Sequence, residues 1–250
     1  ALALRGLVVA IDRKGVLRAR VVDPVVRFLM TSQSAPLLLG APLVAALYFK
    51  PDWMMWFGVP TPDTGLFPPL PSLVAFSIAF GFGWLLHRQT DLLRVWEKSW
   101  LLNLGSAVIL TAVCLALIGP TPVITPEPMG WRKLAFAICY VLGLWSWVAA
   151  AIGAAMRFLS ARNCAVRYVS DASYWIYIVH LPIVMALQIL VWPLNWPWEA
   201  KYALILCGTL SAALLTYQIM VRYTFIGAIL NGRKTRPRKA AAQAVLAAAE

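Results

Sequence analysis

Ser173, Tyr177 and His180 lie in one short stretch, SYWIYIVHLP, inside a long apolar run. At 100° per residue the three share a narrow arc of a helix, with Gln188 near its edge. Histidine exchanges a proton near neutral pH, so this arc is the candidate catalytic group, suited to general acid/base chemistry with two hydroxyls beside it. Polar groups within a membrane face the bundle interior or a watery cavity, so the stripe is expected to point inward. Pro182 removes the usual donor to the Ile178 carbonyl, leaving an acceptor that the imidazole or a water could fill. The pattern leaves two readings open: a proton-transfer group, or a neutral histidine satisfied by a neighbouring carbonyl or hydroxyl.

His87 and Arg88 close the run FGFGWLLHRQTDLL. One reading is an interfacial basic pair. The other is a hold on an anionic co-substrate, because guanidinium pairs well with phosphate. Arg157, Arg162 and Arg167 are further basic candidates. The cysteines Cys114, Cys139, Cys164 and Cys207 show neither a disulfide framework nor a CxxC spacing, and read as small packing residues. No Gly-rich phosphate loop, metal-ligand cluster or serine nucleophile motif is present, so no metal is expected.

These residues need a membrane scaffold. The chain is 61% hydrophobic and 13% charged, with mean hydropathy +0.74, a composition that excludes an ordinary soluble domain. Six segments are apolar enough to cross: about 34–49, 67–87, 100–119, 133–156, 172–193 and 201–221. The first carries Pro36 and Pro42 and is the shortest. The expected fold is an all-α polytopic transmembrane bundle, a single domain over 1–232 with a basic, Ala-rich tail at 233–250. Residues 1–11 read as the last turns of a preceding membrane helix. Asp171 or Ser170 is the expected N-cap of the fifth span, which places His180 ~12 Å along it.

Lysines and arginines between the spans number 6, 1, 3, 2, 3, 1 and 6 in chain order, so 18 fall on one side and 4 on the other. The positive-inside rule makes both ends cytoplasmic. That placement accounts for the net charge of +12 and removes the case for nucleic acid. The outward loops, rich in Pro and aromatics, read as stiff caps. Ser77/Gly81, Ala79/Gly83, Ala149/Gly153 and Gly208/Ala212 are small-xxx-small pairs that suit close helix contacts in lipid.

The stretch SDASYWIYIVHLPIVMALQ resembles the late-helix signature, SY-x-IY-x-x-H-x-P, of the acyltransferase family 3 membrane proteins. VAFSIAFGFGWLLHRQTDLL and the PTPD loop before it are similar to bacterial members, including the glucan-modifying branch. The resemblance implies a multi-pass enzyme of the bacterial inner membrane. Its co-substrate would be cytoplasmic acyl-CoA and its acceptor a carbohydrate hydroxyl. The family's Arg and His, with ten residues between them on a first helix (R-x10-H), have no counterpart here. The chain is therefore expected to be a C-terminal portion, with His180, Tyr177 and Ser173 orienting substrate, and the resemblance leaves open whether it is active alone. A transporter and a non-catalytic membrane module are the competing classes. Missing internal repeats speak against the transporter.

Overall fold

A computed structural model describes residues 16, 18–32, 34–60, 67–160 and 163–231. The expected helix end at 1–11 and the tail at 233–250 lie outside them. The described residues are almost entirely helical, with no strand among them, and form two compact units that divide after residue 160. Five helical segments are long and apolar enough to cross a membrane, or six if one bent pair counts as a single crossing. The chain is an all-α polytopic membrane protein.

In the first unit a π-helical turn, Arg18–Val22, leads into α1 (Asp23–Thr31), with Pro24 in its first turn, where a missing N–H costs nothing. α2 (Ala35–Tyr48) follows at an angle of 99°. Its 14 residues reach only ~21 Å, short of the ~30 Å of hydrocarbon. The expected first span is thus a helix that needs its bent partner to cross. α3 (Leu70–Leu86) continues through a 3-10 turn, His87–Leu92, into α4 (Leu93–Lys98), α5 (Trp100–Ile118) and α6 (Trp131–Leu159).

α6 is the axis of this unit: 44% of its apolar window is buried, against 11% for α5. Phe82 of α3 meets Trp145 of α6 edge-on at 5.8 Å, and Trp53 packs on Phe136 at 5.7 Å. Gly153 is where α6 touches α4. A Cβ there would lie 2.2 Å from the Trp96 carbonyl oxygen, so only glycine permits the approach. The Ala149/Gly153 pair behaves as the sequence suggests. Ser77/Gly81 and Ala79/Gly83 do not, because a Cβ on either glycine meets nothing within 4 Å. α3 packs through Ile78, Phe82 and Leu86, which turns those glycines away from the contact.

The second unit is a hairpin of α7 (Cys164–Val191) and α8 (Trp198–Thr216), extended by a π-helical turn, Tyr217–Val221, and α9 (Phe225–Asn231). α7 starts about eight residues before the sequence suggests. Its cap is Asn163, whose side chain accepts the Ala165 N–H at 2.8 Å. Asp171 and Ser170 therefore sit inside the helix. The segment CAVRYVSD holds no Gly or Pro to delay the start, and His180 lies ~24 Å along the helix. Ala172, Trp175 and Ile176 face the hairpin partner, packing with Tyr217, Val221 and Leu214. The Trp175 indole N–H donates to Thr216 Oγ1 at 3.0 Å. Gly208 rests near Leu187, where a Cβ would come to 3.0 Å. Of the four free cysteines only Cys114 is buried; Cys164 and Cys207 are exposed and are not packing residues within these units.

Candidate active site

Helix α7 brings Ser173, Tyr177 and His180 onto one face, as the spacing requires. That face is not the packed one. Ser173 and Tyr177 are exposed, Tyr177 by 76%, and His180 is half-buried. The inward stripe expected from sequence is instead the surface of the hairpin, because small Ala172 and the large apolar Trp175 and Ile176 take the contact with α8 and its extension.

His180 is held by its own helix. Its Nδ1 lies 2.7 Å from the Tyr177 carbonyl oxygen and 3.2 Å from that of Ile176. Helical side chains lean toward the N-terminus, so the ring reaches these carbonyls and not the Ile178 carbonyl freed by Pro182. A carbonyl only accepts, so Nδ1 must carry the proton. In the neutral ring Nε2 is then the lone-pair nitrogen. The Tyr177 ring lies 5.8 Å away at a 37° tilt. Ser173 Oγ donates to the Ser170 carbonyl at 2.7 Å, leaving its lone pairs free.

His87 and Arg88 form a separate group in the first unit. His87 is exposed. Arg88 Nη2 pairs with Asp23 Oδ2 at 3.2 Å, and Gln89 donates to the Asp23 carbonyl at 3.1 Å. Together they tie the start of α1 to the end of α3. Among the described residues Arg88 makes a single contact, which leaves most of its five guanidinium donors available to an anion. The other Asp23 oxygen, Oδ1, is buried with no hydrogen-bond partner among the described residues. The sequence reading missed Asp23, whose signal was the Asp-Pro helix start.

Lys133 was also missed. Counted in the sequence as an interfacial charge, it is fully buried and donates to the Lys50 carbonyl at 2.7 Å. It belongs to a cap over the head of α6. There the Trp53 indole donates to the Gly58 carbonyl at 2.7 Å, and Tyr140 Oη accepts the Val59 N–H at 3.1 Å. Gly58 turns with φ +68, and a Cβ on it would strike that phenol. Lys50 Nζ bonds both oxygens of Asp52, at 2.8 and 2.9 Å, and that hydrogen bond holds the carboxyl below its ordinary pKa. Among the described residues no three of His, Cys, Asp or Glu converge as a metal site.

The architecture defines a multi-pass membrane protein with a polar stripe on one long helix. A family model described as an acyltransferase domain matches residues 21–218, and the chain belongs to that acyltransferase-3 family. Neither the curated proteins nor the solved structures contain a match. The His180 stretch and the Arg88 turn both fall within the matched range.

Proposed function

We propose that the protein transfers an acyl group from cytoplasmic acyl-CoA to a hydroxyl of a carbohydrate or glucan at the bacterial inner membrane. The observation that carries this reading is the fixed tautomer of His180 within a chain of the acyltransferase family. Nε2 accepts the hydroxyl proton as the acceptor oxygen attacks the thioester carbonyl carbon. The C–S bond then breaks, and the departing thiolate takes the proton from the imidazolium. Tyr177 and Ser173 orient the reactants within the second unit; in the first unit, taken by itself, Arg88 beside His87 is the candidate hold for a phosphate of CoA. No metal takes part in this scheme.

Charge distribution supports a cytoplasmic C-terminus and a net crossing by the end of α2, with Arg20 and Arg27 of the bent pair counted on the near side. If the pair instead re-entered on the same side, the basic groups of 6, 1, 2 and 1 would fall on one side. Those of 3, 3 and 6 would fall on the other, and the bias of 18 to 4 would collapse to 12 to 10. A recess of about 550 Å³ along Phe49, Lys50 and Pro69, beside the Lys50–Asp52 pair, suits acceptor approach from the far side.

The test is a proteoliposome assay with the purified full chain, labelled acyl-CoA on one side and glucan on the other. The expected result is labelled acyl ester on the glucan together with released CoA thiol. Thiol release and ester both at the protein-free rate would refute the reading, and solute uptake without transfer would favour a transporter.

A further inference from the structure

Between α2, α3 and α6 lies an apolar cavity of about 170 Å³. Its floor is made of Leu43, Phe82, Leu86, Trp96 and Trp145, all buried, and its rim of Ala79, Gly83 and Val148, all exposed. The rim explains an oddity of α3. Glycine in a helix interior costs about 1 kcal/mol relative to alanine, and such residues are usually kept for close packing. Gly83 packs on nothing, since a Cβ built there meets no atom within 4 Å. What it provides is an open mouth to the cavity.

We infer that this cavity takes the hydrocarbon chain of the acyl donor and limits its length. The inference rests on the acyl-transfer reading above. At ~30 Å³ per water-sized group the cavity holds roughly six such groups, a short chain and not a full lipid tail. The lining includes Leu86, two residues before Arg88, whose guanidinium makes one contact among the described residues. An apolar chamber with a cation two residues along the chain from its lining suits an acyl thioester, apolar at one end and anionic at the other. A bilayer lipid chain shares the apolar chemistry and is the rival source.

Photolabelling of the full chain in nanodiscs separates the sources and does not depend on turnover. The probes are hexanoyl-CoA and a phosphatidylglycerol, each with a diazirine at the chain end. The expected result is hexanoyl-CoA label on the peptides holding Phe82, Trp96 or Trp145, reduced at least tenfold in Gly83→Phe. Gly81→Phe, on the same helix but off the cavity, retains the label and controls for folding. Label from the phospholipid alone, or hexanoyl label equal in both variants, would overturn the inference. Absence of acyl transfer with the label intact would sink the reaction and leave the cavity assignment standing. Transfer without cavity label would do the reverse.

Discussion

Replacing Gly153 with valine should push α6 off α4. The Cβ would stand 2.2 Å from the Trp96 carbonyl oxygen and 3.0 Å from Trp100 Cβ, where ordinary contacts need about 3.5 Å. The first of these atoms is backbone, so rotamer adjustment offers no relief and the helices must separate by about 1 Å. Overpacking of this size costs ~1–3 kcal/mol, and the two γ-methyl groups place this site at the upper end. Valine recovers only a few tenths of that in helix propensity over glycine. At ~2–4 °C per kcal/mol for a chain of this length, the melting temperature should fall by roughly 4–12 °C. The matched variant Gly83→Val places its Cβ in open space and should shift melting by less than ~2 °C. Both would be read by thermal unfolding in nanodiscs, followed by circular dichroism. Equal shifts in the two variants, or a Gly153→Val protein as stable as the parent, would refute the packing described for α4 and α6.

Lys133→Met should cost little or even stabilise, because it removes a buried cation whose one acceptor among the described residues is the Lys50 carbonyl; a loss above ~3 kcal/mol would show that the ammonium holds the cap together. Arg88→Ala should raise the KM for acyl-CoA about tenfold with little change in kcat, whereas Asp23→Asn, which frees the guanidinium, should lower it; movement of kcat alone would contradict a binding role. The Asp52 carboxyl has a lowered folded pKa, so its contribution to stability is present above the unfolded value of about 3.9 and is lost as pH falls below it. The small melting difference between parent and Asp52→Asn should therefore be present at pH 6 and shrink as the pH falls below about 3.9, and a difference that grows on acidification would reverse the assignment.

Much of the scaffold was legible because apolar runs have few other uses. α5 was anticipated as 100–119 against the observed Trp100–Ile118, and α3 as 67–87 against Leu70–Leu86. The start of α7 was not, since Arg167 and Asp171 make its first turns look like loop. The Asn163 cap was the local signal that could have corrected it. The arc of Ser173, Tyr177 and His180 follows from helical geometry alone. Which way it faces does not, because that depends on how Trp175 and Ile176 fill the contact with α8. Glycine spacing likewise flags Gly153 and Gly83 alike, and only the packed neighbours tell a contact from a cavity mouth. The Arg88–Asp23 pair spans 65 residues of chain, beyond any local pattern. Lys133 reads as a topological charge at any helix end, and its burial comes from the fold of residues 50–60 over α6.

The most direct test is the rate of labelled acyl transfer by the parent, His180→Ala and His180→Gln, each inserted in proteoliposomes. Both variants remove a base nitrogen while Gln keeps a donor for the Tyr177 carbonyl, so both should lose ~10²–10⁴ in rate at unchanged insertion. Transfer at the parent rate by His180→Gln would show that the histidine only satisfies its own helix and would contradict the account.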